Sequence, residues 1–356
     1  MKKFHALTVC AKKRETSDSV RIALHVPDEL QAEFAFKAGQ HLPVQIELGG
    51  KKLRRTYSIC SPQGEWPLEI AVRIQPGGQF SEFTADGLSV GDQLAVMPPN
   101  GQFHVELNAT RQRFYLGCAA GSGITPILSI MASVLNAEPL SRFALFYGNR
   151  QQGTTMFIDD LFALKNRFPE RLQLHFLFSQ EEQEFDIASG RLDAAKLRQL
   201  FGCFFAGAKP AEAFVCGPDT MITSVTDTLI DLGLAADLVH AERFGARRKS
   251  GVAPVAIDAD TSAFTKVTVV MDGHKKSFRM PRTGANIVDA AAAQGIELPY
   301  SCKGGVCATC RTHVRKGEVK MATHYGLEPW EIEKGFVLAC QSTPVSDELL
   351  LDYDKT

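Results

Sequence analysis

The sequence lacks several features that would direct a protein to a membrane, out of the cell or onto a nucleic acid. Its 356 residues contain no apolar run of about 18 residues, so no segment is expected to span a membrane. The first residues, MKKFHALTVCAKKRE, are basic but have no apolar stretch of the kind found in signal peptides. Lys and Arg number 39 and Asp and Glu 40, so no excess of one charge points to nucleic acid. We expect a cytoplasmic location.

Other features of common catalytic and secreted proteins are also missing. The chain has no internal repeat, no Gly-x-Gly-x-x-Gly dinucleotide fingerprint and no paired His and carboxylate motif for acid–base catalysis. Of its nine cysteines, five have no spacing typical of a disulfide framework, which favours reduced thiols in a cytosol. These five are Cys10, Cys60, Cys118, Cys203 and Cys216.

The other four cysteines form the most specific motif in the chain. Cys302, Cys307 and Cys310 have the spacing Cys-x4-Cys-x2-Cys, and Cys340 follows after 29 further residues. This is the plant-type ligand pattern of a [2Fe–2S] cluster. The pair Gly304–Gly305 suits a loop whose backbone N–H groups point at sulfur. Zinc sites usually combine two short Cys-x2–4-Cys motifs, and no second motif lies near Cys340, so a cluster is favoured over zinc or a disulfide.

The residues around these cysteines have the pattern of a small α+β domain. Residues 266–273 alternate as a strand and end in an Asp-Gly turn, and residues 275–280 return as a second strand. Later elements are a helix over 285–294, a strand over 310–321, a short helix over 327–334, and a strand over 336–341 that carries Cys340. This order resembles the β-grasp fold of plant-type ferredoxins.

The first 108 residues predict a small antiparallel barrel. Strands are expected at 4–12, 19–26, 41–48, 54–60, 68–75 and 92–97, with a helix at 80–87. Within this region Arg55 offers a bidentate clamp for an anion, Tyr57 a stacking plane, and Thr56 and Ser58 two hydroxyls. Such a strand suits a ligand with a diphosphate and a flat ring. An exposed strand with ordinary cross-strand pairs is the alternative.

Residues 109–245 change to alternating strands and helices, which predicts a parallel sheet. Strands are expected at 113–119, 142–148, 172–179 and 212–216, and helices at 124–135, 156–167, 190–201 and 219–231. Gly121-Ser122-Gly123 follows the first strand, where glycines let a phosphate approach backbone N–H groups. Cys216 ends the fourth strand, and on its own it is better explained as a small buried side chain than as a functional residue.

These segments together resemble the ferredoxin–NADP reductase family. The sequence Arg55-x-Tyr57-Ser58 resembles its flavin motif, which implies that Arg55 contacts the FAD phosphates, Tyr57 stacks on the ring, and Ser58 lies near the flavin N5 as a catalytic residue. The motif also includes Thr56. The segment Ala71–Ile74, with Val72, Arg73 and Ile74, resembles the strand whose backbone meets the flavin.

The resemblance extends to the other ligand-binding segments. Gly77–Ser81, with Gly78, Phe80 and Ser81, resembles the turn that holds the FAD diphosphate. The family places the equivalents of Gly121, Ser122, Gly123 and Thr125 around the pyridine nucleotide. It also places Cys216, Gly217 and Pro218 beside the nicotinamide, with Cys216 as a catalytic residue, and Glu242 and Phe244 over the flavin.

The nucleotide preference depends on the end of the second strand of the parallel sheet. This strand ends in Tyr-Gly-Asn-Arg150, without a carboxylate for a ribose 2′-hydroxyl. An arginine there can bind a 2′-phosphate, so NADPH is favoured and NADH is the alternative. Arg150 is otherwise explained as a solvated loop charge.

The predicted organisation is a FAD-binding β-barrel (1–108), an NAD(P)-binding α/β domain (109–245), a flexible linker (246–265) and a [2Fe–2S] ferredoxin domain (266–356). Its resemblance to oxygenase reductases implies transfer of electrons from NADPH through FAD and the cluster to a separate diiron oxygenase. The alternatives are an NADH-dependent reductase of a Rieske-type oxygenase, a redox sensor or carrier without turnover, and a zinc-stabilised adaptor.

Basic residues on and after the cysteine loop suggest where a partner would bind. They are Lys303, Arg311, Arg315, Lys316 and Lys320. One interpretation is a basic rim that docks on an acidic oxygenase surface, and the other is a solvated face.

Overall fold

The computed structural model describes residues 3–205, 207–244 and 264–355, apart from the side chain of Lys51. The described residues form two compact units, one built mainly from 4–244 and the other mainly from 264–355. No helix among the described residues is long and apolar enough to cross a membrane.

The first part of the larger unit is a six-stranded barrel. Its strands are β1 (His5–Thr16), β2 (Ser19–His25), β3 (His41–Leu48), β4 (Lys51–Ser58), β5 (Leu68–Arg73) and β6 (Gln93–Val96). They lie in the order β4-β3-β6-β1-β2-β5. An antiparallel bridge between Ile59 and Ile70 joins the end of β4 to β5 and closes the sheet. The predicted antiparallel barrel is therefore confirmed.

Two short helices accompany the barrel. Helix α1 (Gln31–Phe34) was not predicted, and it buries Phe34 in the barrel core. Helix α2 (Gln79–Glu82) continues as a π-helical turn over Phe83–Gly87, which agrees with the helix predicted at 80–87.

The second part of the larger unit is a parallel sheet flanked by helices. Its strands are β7 (Phe114–Ala120), β8 (Arg142–Asn149), β9 (Leu172–Phe178), β10 (Glu212–Gly217) and β11 (Val239–Arg243), in the order β11-β10-β7-β8-β9. The helices are α3 (Ile124–Ala137), α4 (Ile158–Arg167), α5 (Ala194–Phe204) and α6 (Asp219–Asp231). The predicted α/β architecture is confirmed.

Two details of this sheet differ from the sequence prediction. Helix α5 begins at residue 194 rather than 190, because the Asp193 carboxylate accepts a hydrogen bond from the Lys196 N–H (2.9 Å) and caps the helix there. Strand β11 was not predicted, since its five residues, VHAER, have no strong apolar alternation and depend on pairing with β10.

Charged contacts join the barrel to the parallel sheet within this unit. Arg21 of β2 donates to both carboxylate oxygens of Asp160 on α4 (2.9 and 3.0 Å) and also pairs with Glu69 of β5. Glu15 of β1 accepts a hydrogen bond from the Phe157 N–H (2.9 Å). These contacts hold the beginning of α4 against the barrel.

The smaller unit has the β-grasp arrangement. Its strands are β12 (Phe264–Met271), β13 (His274–Pro281), β14 (Arg311–Lys316), β15 (Val319–Met321), β16 (Phe336–Leu338), β17 (Ser342–Pro344) and β18 (Glu348–Asp352). Helices α7 (Ile287–Ala292) and α8 (Pro329–Glu333) complete it. The main sheet has the order β13-β12-β18-β14-β16, and β15 pairs with β17. This unit has a hydrophobic core of its own.

Three expectations for this unit need correction. The strand predicted over 310–321 is divided into β14 and β15 by Gly317, whose φ is +88° and whose Cα packs against the Glu348 carbonyl. Cys340 lies on the 3-10 turn Ala339–Gln341 after β16, not on a strand. Of the predicted linker, 264–265 already belong to β12, and the rest lies outside the described residues.

Candidate functional site

The carboxyl ends of β7, β10 and β11 meet at one edge of the parallel sheet, where α/β proteins usually bind ligands. The loop after β7 passes directly over the end of β10, since a Cβ placed on Gly123 would lie 2.1 Å from the carbonyl oxygen of Cys216. Cys216 is paired in register with Glu242 of β11. The structure therefore brings together three segments that are far apart in the sequence.

Interactions within the loop after β7 fix its shape. Gly121 has a φ of +54°, and its carbonyl accepts a hydrogen bond from the Tyr147 hydroxyl (2.9 Å). The Thr125 hydroxyl donates to the Ser122 carbonyl (3.0 Å). Ser122 itself is half-buried. The buried Thr125 therefore stabilises the first turn of α3 and holds the glycine backbone in place.

A hydrogen bond joins the barrel to this edge of the sheet. Ser58 at the end of β4 is buried, and its hydroxyl donates to Glu242 Oε2 (3.0 Å). The other carboxylate oxygen of Glu242 lies 3.5 Å from Nδ1 of His41, the first residue of β3. Sequence reasoning did not identify His41, because its contact with Glu242 spans about 200 residues and has no motif of its own.

Cys216 is buried near the end of β10. Its side chain is 0% exposed, and burial raises the pKa of its thiol well above the ordinary value, with a further rise from the nearby Glu242 carboxylate. Cys216 is therefore a neutral thiol. Next to it, Gly217 packs against Met221 and Ala120, where a Cβ would lie 2.8 and 3.2 Å from their side chains. Pro218 precedes α6 as its N-cap residue.

Arg73 lies across from the glycine loop. Its Nε and Nη2 donate to Asp18 Oδ2 (3.0 and 2.6 Å), and an ideal Cβ on Gly121 would lie 2.9 Å from its Nη1. Val72 before it is fully buried in the barrel, and the half-buried Ile74 after it donates its N–H to the Asp18 carbonyl. The Arg73 guanidinium, at the end of β5, thus faces the loop after β7.

The remaining predicted flavin residues lie on β4 and around α2. The Tyr57 ring packs against the ring of Phe80, with centroids 5.4 Å apart. Thr56 is half-buried, and Arg55 is exposed with no carboxylate partner among the described residues. An exposed guanidinium next to a partly open aromatic ring fits a ligand that carries phosphate and a flat ring.

Several polar groups of the turn before α2 form hydrogen bonds within the turn and with α2. The Ser81 hydroxyl donates to the Gly78 carbonyl (2.9 Å) and accepts from the Gln75 N–H (3.0 Å), so its observed bonds stabilise the turn. The Gly77 N–H donates to the Glu82 carboxylate (2.7 Å). A Cβ on Gly78 would meet Ser81 Oγ at 2.6 Å, which explains the glycine.

The end of β8 carries the residue predicted to select the nucleotide. Arg150 is exposed and has no ion-pair partner among the described residues. Its carbonyl accepts from the Gln180 N–H (2.9 Å), and the neighbouring Glu181 carboxylate accepts from the Gln152 N–H (2.6 Å). Glu181 is a carboxylate close to this strand end that the sequence of β8 alone could not reveal. Phe244, beyond β11, is 42% exposed.

The four predicted cluster cysteines come together in the smaller unit. Cys302 pairs with Cys307, whose Sγ accepts a hydrogen bond from the Cys302 N–H (3.4 Å), and Cys310 pairs with Cys340 in the same way, through the Cys340 N–H (3.5 Å). Among the described residues, no three His, Cys, Asp or Glu side chains are grouped like the ligands of one metal ion. A [2Fe–2S] cluster divides four thiolates between two irons, so two neighbouring pairs fit it.

The backbone around the cysteines is shaped to face sulfur. Gly304 N–H donates to Cys302 Sγ (3.3 Å), and Cys340 N–H donates to Cys310 Sγ (3.5 Å). Lys303 and Ala308 both adopt left-handed conformations, with φ near +50°, which non-glycine residues rarely do. The loop thus holds donors toward sulfur at the expense of backbone strain.

Two side chains add donors that the sequence did not predict. The Thr309 hydroxyl donates to Cys307 Sγ (3.2 Å), and Gln341 Nε2 lies 3.7 Å from Cys340 Sγ. Gln341 also donates to the Lys303 carbonyl (2.8 Å), which ties the turn after β16 to the cysteine loop.

Four of the five basic residues near the cluster pair with carboxylates. Lys303 Nζ lies 2.5 Å from Asp289 Oδ1. The other three ion pairs are Arg311 with Glu331, Arg315 with Asp352, and Lys316 with Glu348. Glu331 and Asp352 have side chains only 2% and 1% exposed, so Arg311 and Arg315 mainly compensate buried charge. Lys320 is exposed and has no ion-pair partner among the described residues. The predicted basic rim is therefore largely neutralised.

Known proteins share both the organisation and the sequence of the chain. Family models match an oxidoreductase FAD-binding domain at 6–105, an oxidoreductase NAD-binding domain at 118–227 and a 2Fe-2S iron–sulfur cluster binding domain at 269–345. The chain is 41% identical to a subunit of the 1,2-phenylacetyl-CoA epoxidase of Escherichia coli, over 99% of both chains. The chain belongs to the family of flavin- and iron–sulfur-containing oxygenase reductases.

Other members of the oxygenase reductase family agree with this assignment. The ferredoxin reductase component of 3-ketosteroid-9-alpha-monooxygenase from Rhodococcus rhodochrous is 33% identical over 98% of this chain and 96% of its own. The solved structure of phthalate dioxygenase reductase, described as modular for electron transfer from pyridine nucleotides to [2Fe–2S], matches with a TM-score of 0.60 and 28% identity over 98% of both chains. The chain is an NAD(P)H-dependent flavin oxidoreductase that uses FAD and a [2Fe–2S] cluster.

The contact between Gly123 and Cys216 generates a test of the nucleotide edge. In Gly123→Ala the new methyl group meets a backbone carbonyl, which cannot rotate away, so the loop must leave the end of β10. We expect the Kd for NADPH, obtained from the dependence of the flavin reduction rate on NADPH concentration in anaerobic stopped-flow mixing of the holoprotein, to rise at least about tenfold, or ~1.4 kcal/mol.

Gly153→Ala is the matched control, because nothing lies within 4 Å of the position that its new Cβ would occupy. It should bind NADPH like the wild type. Wild-type affinity in Gly123→Ala would show that the loop does not need this close approach.

Proposed function

We propose that this oxygenase reductase passes electrons from NADPH to the diiron oxygenase of a phenylacetyl-CoA epoxidase, in aerobic phenylacetate breakdown. The observation that carries the proposal is the 41% identity to the Escherichia coli epoxidase component over 99% of both chains. The relative that follows it, a steroid monooxygenase component, is 33% identical. We propose the domain boundaries 1–108, 109–245 and 266–356. The barrel sheet and the parallel sheet support the first two because each lies within one segment, and the two sheets of the smaller unit lie within the third apart from the first two residues of β12.

The flavin is assigned to β4, the end of β5 and α2. Arg55 and the backbone near Gly78 bind its phosphates, and Tyr57 with Phe80 provides an aromatic surface for its ring. The exposed guanidinium of Arg55, which has no carboxylate partner among the described residues, and the Tyr57–Phe80 contact support this assignment. The other flavin contacts are assigned to Thr56, Val72, Arg73, Ile74, Ser81 and Phe244.

The nicotinamide is assigned to the edge formed by Gly121–Gly123, Cys216 and Glu242. When bound, NADPH supplies a hydride to FAD, and the cluster carries single electrons onward. The chain's own residues orient the reactants and exclude water. Ser58 keeps its proton on Oγ and directs it to Glu242, and the buried Cys216 presents a neutral thiol. No general base is needed for hydride transfer.

NADPH is proposed over NADH because Arg150 lies at the end of β8 without an ion-pair partner among the described residues. In Arg150→Ala the loss of a charge-assisted hydrogen bond, worth about 1.5–3 kcal/mol, should raise the KM for NADPH about tenfold or more. The KM for NADH should change by no more than about twofold, since NADH has no 2′-phosphate.

Arg167→Ala is the control, because Arg167 is also exposed but is the last residue of α4, whereas Arg150 precedes that helix. If Arg150→Ala changed the KM for NADPH and the KM for NADH equally, or changed neither, the assignment of Arg150 to the 2′-phosphate would be wrong. NADH would then be the preferred nucleotide, with Glu181 as the carboxylate for the ribose.

The function is tested by reconstitution with purified phenylacetyl-CoA epoxidase oxygenase subunits. The wild-type chain should support NADPH-dependent epoxidation of phenylacetyl-CoA. Cys340→Ser removes one of four cluster ligands, so oxygenase turnover should fall at least about a hundredfold while NADPH still reduces ferricyanide through the flavin. Cys203→Ser, at an exposed free thiol, should retain both activities.

Two outcomes would contradict the proposed function. A wild-type chain that reduces ferricyanide but never supports epoxidation would exclude this acceptor. Full oxygenase turnover in Cys340→Ser would exclude the cluster from the electron path.

We propose that the oxygenase docks on the face around the cysteine loop, with Lys320 as its main positive contact. Lys320 is exposed on β15. Arg315 is a poor probe of docking, because reversing its charge would leave the buried carboxylate of Asp352 without a positive partner. Lys320→Glu should slow the association with the oxygenase several-fold at low salt and spare cytochrome c reduction.

Lys275→Glu is the control, since Lys275 is exposed on β13, at the opposite edge of the sheet from β16. It should associate with the oxygenase like the wild type. If the two variants slow association equally, the effect is one of net charge and the docking face is wrong.

A further inference from the structure

A buried hydroxyl group without a partner lies close to two of the cluster cysteines. The Oη atom of Tyr353, just after β18, is buried and has no hydrogen-bond partner among the residues that the structure describes. The Tyr353 ring is only partly buried, and it packs against the core that contains Cys310 and Cys340. A buried hydroxyl without a hydrogen bond lowers the stability of the folded state. We therefore expect the Tyr353 hydroxyl to have a hydrogen-bond acceptor.

The strand register fixes the direction of the Tyr353 side chain. In β18 the buried Leu349 and Leu351 face the core, and Tyr353 continues this alternation. Val314 pairs with Leu351 and His313 with Asp352, so the next step of the same register sets Thr312 opposite Tyr353. Thr312 is two residues from Cys310 and therefore lies on the same face of β14.

The core packing places Tyr353 beside one half of the ligand set. Tyr353 packs against the hydrophobic core that contains Cys310 and Cys340, and that core does not include Cys302 or Cys307. The Tyr353 phenol can therefore act as a hydrogen-bond donor on the side of Cys310 and Cys340.

Thr312 Oγ1 is likewise buried without a partner among the described residues, so it does not accept this bond, whereas the sulfurs of Cys310 and Cys340 in the same core are acceptors. The Sγ atoms of Cys310 and Cys340 already accept long bonds from the Cys340 N–H (3.5 Å) and from Gln341 Nε2 (3.7 Å). Hydrogen bonds to the sulfurs are one of the main factors that set the potential of an iron–sulfur cluster. Reduction adds one negative charge, so a donor stabilises the reduced cluster more than the oxidised one.

We propose that the Tyr353 hydroxyl donates a hydrogen bond to a sulfur of the cluster half held by Cys310 and Cys340, and that this bond raises the reduction potential. The inference rests on the [2Fe–2S] cluster and not on the identity of the electron acceptor. A reductase that served a different oxygenase would have the same bond.

The test is an EPR-monitored redox titration of the holoprotein. Tyr353→Phe keeps the ring and removes the donor, so the equilibrium constant for one-electron reduction should fall about tenfold, which corresponds to a potential about 59 mV lower. Tyr325→Phe makes the same change at a side chain that is 59% exposed, and its potential should equal that of the wild type.

A second substitution at the same position keeps the proposal testable if Tyr353→Phe loses its cluster. Replacement of Tyr353 by 3-fluorotyrosine makes the phenol more acidic and a stronger donor, so the potential should rise. An unchanged potential in either variant would overturn the proposal, as would an equal shift in Tyr325→Phe. The titration needs neither NADPH nor the oxygenase, so its failure is distinguishable from failure of the reconstituted epoxidation.

Discussion

The hydrogen bond from Ser58 to Glu242 is the contact on which the rest of the candidate site depends. It joins the end of a barrel strand to the last strand of the parallel sheet. Glu242 is in register with Cys216, and the carbonyl of Cys216 touches the backbone of Gly123. One continuous set of contacts thus runs from the proposed flavin strand to the proposed nucleotide loop. Because each contact involves a buried group, the site has little freedom to rearrange.

The cluster site depends on a different physical constraint. Its loop must direct N–H groups at sulfur, and it does so through left-handed conformations at Lys303, Gly305 and Ala308. Thr323, Gln341 and Gly326 pack or bond against the loop from the segments that follow it. The strain is sustained because the small unit has a separate core, which includes two of the cluster cysteines.

Much of this could be predicted from local sequence. The cysteine spacing, the R-x-Y-S strand and the alternation of strands and helices after residue 109 all depend on residues close together in the chain, and the fold they predicted is confirmed. What could not be predicted depends on distant partners. The neutralisation of Arg315 by Asp352, the contact of His41 with Glu242 and the orientation of Tyr353 each require a strand register. Basic residues near the motif therefore did not reveal which of their charges stay unpaired after folding.

The central claim is that electrons enter from the nicotinamide at the parallel-sheet edge and leave at the four cysteines. Anaerobic stopped-flow mixing of the holoprotein with NADPH, combined with freeze-quench EPR, tests it most directly. Flavin absorbance should fall first, and the signal of the reduced [2Fe–2S] cluster should follow, with complete reduction requiring about 1.5 equivalents of NADPH for three electrons. A cluster that is reduced before the flavin, or that stays oxidised while the flavin is fully reduced, would contradict the account.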